Sequence, residues 1–272
     1  MSKFDEVLKR LIDEVTKSGF ADSPRMTSMM RELKAAAEES FIAPEKLEKM
    51  MGASLHTYFK RATSPRRLKI NNSGVERLNI TRIMPELRSE LDRRILANAS
   101  LIKLNRAQAI DKTLQRFAGW ATSVPANAAK SVDKAEVTRD ISKTARDLRY
   151  EVRRREIDQG HKLMAAIDAT IAHGNGAIAM QWQSHWRQPG YDYREDHKER
   201  DGKVYAIRGA WAISDGLINK GAGYTDEITA PAQEISCKCN GIYLYSLNEL
   251  PDEMLTAKGR AELNGGGMQN AS

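Results

Sequence analysis

Apolar residues Phe4, Val7, Leu8, Leu11, Ile12 and Val15 recur at spacings of three and four. On a 3.6-residue repeat they share one side, which predicts an amphipathic helix over residues 2–18, ended by Ser18-Gly19. Asp22 or Ser23 can cap a second helix with Pro24 in its first turn, and Ala43-Pro44 opens a third that runs to about Tyr58. Residues 1–60 therefore read as a helical cluster.

Residues 61–79 mix Pro, Ser, Asn and Gly with basic side chains, the composition of a connector rather than of an element. Helical spacing resumes in a block over 80–173. Ile83, Leu87, Leu91, Ile95, Ile102, Leu104, Ile110, Leu114 and Phe117 keep the period until Val124-Pro125 interrupts it. Between 132 and 173 one long helix is predicted. Its apolar row is Val137, Ile141, Ala145, Leu148 and Val152, and Arg139, Lys143, Arg146, Arg149 and Arg153 run along the opposite side. Gly160 is a candidate kink.

The period changes at Gly174-Asn175-Gly176. Ala177, Ala179 and Gln181 alternate with Ile178, Met180 and Trp182 in the two-residue rhythm of a strand, and 203–207 and 241–247 are also strand-like. These signals predict a mainly α fold with a small C-terminal α+β module at 174–250, followed by a flexible tail at 251–272.

Charge divides along the same line. The 272 residues carry a net charge of +7, but 1–190 hold an excess of eleven positive charges and 191–272 a net −4. A basic N-terminal portion suits an acidic protein surface or nucleic acid, with the arginine row up to Arg155 as the candidate DNA face. The bland alternative is a solvated helix face. No apolar run reaches eighteen residues and the first residues lack a signal-peptide core, so a protein made and used in solution is expected. Phosphate-binding G-x-x-x-x-G-K-[ST] and esterase G-x-S-x-G patterns are missing.

The candidate chemistry lies in "DHKERDGKVYAIRG" and "ISCKCNG", which hold His197 and the only two cysteines. Thiols at i and i+2 close only a strained ring, so a reduced pair or a metal is favoured over a disulfide. His197, Cys237 and Cys239 offer three donors suited to one structural zinc. Asp196, Asp192 and His185 are chemically able to supply a fourth. The alternative is a metal-free pair of small buried thiols. A His-Asn-His-like, metal-dependent nuclease would need a later histidine as metal ligand, and none follows His197. The carboxylates Glu195, Asp196, Glu199 and Asp201 alternate with Arg194, Lys198 and Arg200, a pattern of ion pairs rather than general acids. Trp182, Trp186 and Trp211 are expected in the core.

The order of these features resembles the phage Mu F-like minor head proteins, the head-morphogenesis family. That family's pattern is a W-x-[ST] strand, an acidic residue, R-x-x-H, a D/N-G turn followed by an aromatic, a proline loop and a closing C-[RK]-C. The matching positions are Trp182 and Ser184, Asp192, Arg194 and His197, Asp201-Gly202 with Tyr205, Pro231, and Cys237-Lys238-Cys239. The resemblance implies a structural virion component without catalysis, made in the host cytoplasm and placed in the head or at the head-tail junction. Its implied partners are portal or capsid proteins, with packaged double-stranded DNA as a further one.

Overall fold

A computed structural model describes residues 3–19, 23–40, 43–71, 80–125 and 128–266. The chain is mainly α, with a small α+β module toward the C-terminus. It forms two compact units. The first comprises Met1–Ala53 and Ile95–Glu156, the second Ser54–Arg94 and Ile157–Ser272.

In the first unit, helix α1 (Lys3–Ser18) packs on α2 (Ser23–Ser40), with the start of α3 (Pro44–Ala62) and parts of the long helices α5 (Met84–Ser123) and α6 (Lys134–Gly174) completing it. The predicted stripe of α1 is its buried side. Phe4, Leu8, Leu11, Ile12 and Val15 meet Leu33, Ile110, Phe117, Ile141 and Leu148 in one core. Each such side chain contributes roughly 1.5–3 kcal/mol on burial. Charged pairs ring this core, with Arg25 on Glu14 and Lys134 on Asp13, both at 2.5 Å. The Val124-Pro125 break follows the end of α5.

In the second unit, α4 (Pro65–Asn71) lies within the stretch expected to be a connector, and 72–79 fall outside the described residues. Arg67 anchors it, reaching Asp168 of α6 at 2.6 Å. Gly160 does not break α6. It makes room for Tyr58, whose Cζ would lie 2.5 Å from a Cβ built at Gly160.

The module's sheet has strand order β2-β1-β3, with β1 (Ala179–Gln183) pairing antiparallel with β2 (Val204–Ala206) and β3 (Asn240–Leu244). Helix α7 (Glu195–Glu199) lies between β1 and β2 in sequence, and α8 (Trp211–Ser214) follows β2. Alternation along β1 sends neighbouring side chains to two clusters. Ala179 joins Leu217, Leu244 and Met254, whereas Met180 and Trp182 join Tyr205, Cys237 and Cys239.

Three expectations need correction. The tail is not wholly flexible: Met254 and Leu255 are buried and α9 (Ala257–Gly266) follows them, with 267–272 outside the described residues. The long-helix block 80–173 is not one domain, because α5 and α6 each contribute to both units. Trp211 is exposed, while Trp182 is fully buried.

Candidate metal centre

Three short segments bring the cluster together. Trp182 lies next to last in β1, and its backbone exchanges hydrogen bonds with the turn before β2: Gly202 N to Trp182 O at 2.8 Å and Trp182 N to Lys203 O at 2.9 Å. Gly202 has φ +79°, which explains glycine at this turn. Helix α7 begins from an extended Arg194 and points His197 inward. The cysteines arrive on the loop before β3, where Ala232 (φ 62°) and Ser236 (φ 60°) hold left-handed conformations. Such residues cost about 1–3 kcal/mol each, and surrounding contacts must hold them. Here Ser236 N donates to Asp158 at 2.6 Å, Cys237 N to the Glu234 carbonyl at 3.2 Å, and Lys238 N to the Tyr191 hydroxyl at 3.1 Å.

Within this frame Nδ1 of His197 lies 3.5 Å from Sγ of both Cys237 and Cys239. All three donor atoms fall within 4.8 Å of one another, and the three residues are 1–2% exposed. This group could hold a metal ion. Both cysteines are free thiols. Backbone dipoles also act on the sulfurs: the N–H groups of Cys239 and Ala232 lower the Cys237 pKa and that of His185 lowers the Cys239 pKa. Such donors favour negative charge on sulfur. The adjacent Cys239 thiol lowers the pKa of Cys237, against the opposing effect of burial. The adjacent Cys237 and burial push the pKa of Cys239 up.

The other ring nitrogen faces elsewhere. Nε2 of His197 is buried without a hydrogen-bond partner, 3.6 Å from Glu234 and 3.9 Å from Asp196. Glu234 is held by Arg194 at 2.5 Å, and Arg194 also donates to the Ile235 carbonyl at 3.1 Å. Asp196 is exposed and paired with Arg200 at 2.8 Å. It is therefore not one of the clustered donors, a correction to its expected place in the ligand set: it lies on the Nε2 side of the imidazole, away from the sulfurs. Trp182 seals the cluster, its ring edge-on to His197 at 5.2 Å and 65° and covered by the Arg200 guanidinium at 5.1 Å.

Other sequence-expected residues divide between scaffold and periphery. Tyr205 is buried beside Met180, Trp182 and the cysteines, and burial raises its pKa. Asp201 accepts from Ser184 N at 2.8 Å and Trp186 Nε1 at 2.9 Å, which hold its pKa below the usual carboxylate value. Asp192 is exposed and outside the cluster; His185 is half-buried and also outside it, and its backbone N–H lowers the Cys239 pKa. Pro231 lines a cleft of about 440 Å³ with Arg93, Lys162, Asn240 and Tyr243, and none of the three clustered residues borders it. No second imidazole joins the cluster among the described residues. Arg139, Lys143 and Arg153 of α6 are exposed, and the side chains of Arg146 and Arg149 fall outside the described residues.

Sequence reasoning missed Glu234 and Tyr191. Nothing in "APAQEIS" marks a carboxylate bound for the imidazole, and Tyr191 reads as an ordinary loop aromatic. Among the described residues, no helix is long and apolar enough to cross a membrane. Comparison with protein families, with characterised proteins and with solved structures found no match.

Proposed function

We propose that this chain is a minor structural protein of a tailed-phage head, docking on portal or inner capsid proteins through a C-terminal module clamped by one zinc ion, without catalysis. The observation that carries this reading is the convergence of separated residues of the family-like pattern. Trp182, Tyr205, Cys237 and Cys239 share one core and His197 touches both cysteines and the Trp182 ring. Order along a chain becomes a physical unit only if its members meet; these five do, while Asp192 and Pro231 lie apart from them.

The donor chemistry supports zinc. With bond lengths of about 2.0 Å to nitrogen and 2.3 Å to sulfur at a tetrahedral angle, nitrogen and sulfur ligands stand about 3.5 Å apart. The distances from His197 Nδ1 to the two sulfurs have this value. Near-complete burial of all three donors keeps substrate from the ion, and the fourth tetrahedral position falls to a group outside this cluster.

Mass spectrometry of purified heads tests the assignment. Peptides of this chain should be found in intact heads, and infectivity should fall when the particles are built with a Cys237→Ser copy. Absence of the chain from heads would remove the proposal. The exposed Arg139, Lys143 and Arg153 favour DNA contact as a second reading. Such binding should weaken steeply as salt rises, and a flat or absent signal removes it.

A further inference from the structure

We propose that Glu234 is a positioning residue for the metal centre: its carboxylate takes the Nε2–H of His197 and so holds the Nδ1 lone pair toward the two sulfurs. This rests on the metal-binding reading above. A neutral imidazole carries one proton, and a nitrogen that binds a metal must be bare. A metal held on Nδ1, which faces both sulfurs at 3.5 Å, leaves the proton to Nε2, which is buried and without a partner. An N–H in that position needs an acceptor.

Two carboxylates are near it. Asp196 is the more distant at 3.9 Å, its side chain is 51% exposed, and Arg200 already holds it. Glu234 stands at 3.6 Å with its side chain 31% exposed, and Arg194 fixes it from the far side. A shift of about 0.6 Å makes the hydrogen bond to Glu234. The backbone of the same residue serves the second ligand, since its carbonyl accepts from Cys237 N at 3.2 Å. Glu234 thus links the histidine to the cysteine loop. Metal-bound histidines commonly donate their other N–H to a carboxylate, and loss of that partner weakens metal binding by about 10–100-fold.

The full-length protein, labelled with ¹⁵N-histidine, reports the tautomer directly through its ring nitrogen shifts. In the metal-free wild type His197 should carry its proton on Nε2. Glu234→Gln, whose amide oxygen still accepts, should keep that tautomer, while Glu234→Ala should lose it or populate both. Measured on the metal-free proteins, an unchanged tautomer in Glu234→Ala overturns the proposal. Zinc competition against a chromogenic chelator gives the second readout. About 10–100-fold weaker binding in Glu234→Ala is expected, and equal affinity in all three proteins overturns the proposal. A wild type that takes up no zinc refutes the metal reading itself, and the tautomer then decides the role of Glu234 alone.

Discussion

Trp182 and His197 meet edge to face, ring centroids 5.2 Å apart, with the tryptophan fully buried near the end of β1. The indole is the wall against which the imidazole is set. Trp182→Ala should therefore cost the C-terminal module about 3–5 kcal/mol and loosen His197. Trp182→Phe should cost less, because it keeps an aromatic wall and removes an indole N–H that has no partner. Chemical denaturation followed by near-ultraviolet circular dichroism checks the ranking, and equal losses for the two variants would contradict it.

Asp201 links acidity to the turn before β2. Its folded pKa is lowered, first by the Ser184 N–H and then by the Trp186 indole, so its contribution is present above the unfolded value of 3.8. Stability is lost as pH falls below that value, through the still lower folded pKa. Asp201→Asn should remove this acid-side slope and cost roughly 1 kcal/mol at neutral pH, a modest figure because the carboxylate is only partly buried. Melting temperatures of the two proteins between pH 2.5 and 7 should converge at the acid end.

Gly160 gives a test with an unusual sign. Glycine to alanine inside a helix ordinarily stabilises by about 1 kcal/mol. At this position a Cβ would strike the Tyr58 ring, so Gly160→Ala should destabilise by about 1–3 kcal/mol. Combining it with Tyr58→Ala should recover part of the loss relative to Tyr58→Ala alone. Thermal melting of the three variants is the measurement, and a stabilised Gly160→Ala single variant would contradict the packing.

Cys237→Ser and Cys239→Ser should each destabilise the module by on the order of 2 kcal/mol, since each buries a hydroxyl where a sulfur had donors fitted to it. The first unit, whose core contains neither residue, should stay folded. Hydrogen exchange resolved by mass spectrometry separates the two. Loss of protection in α1 together with β1 would contradict the division.

Periodicity made the helices legible, because burial of one face leaves a mark every three or four residues: Phe4, Leu8, Leu11, Ile12 and Val15 are buried as that rule requires. The short strands were legible for the same reason, at period two. Domain limits were not, because α5 and α6 keep one pattern while serving two cores. Helix α4 was hidden by its proline and its basic residues, which resemble a linker until Arg67 finds Asp168. In the cluster, donor type identified His197, Cys237 and Cys239. Asp196 was misplaced because neighbours in sequence on α7 need not face the same ring nitrogen, and Glu234 was missed because its role depends on a loop shaped by Ala232 and Ser236.

Elemental analysis of the purified full-length protein, with and without chelator, addresses the clamp itself. One zinc per chain is expected, with the ion lost and the melting of the second unit lowered on chelation, and with no zinc retained by the Cys237→Ser variant. Protein that carries no metal after growth in zinc, takes none up on titration, and melts at the same temperature in chelator would contradict the account.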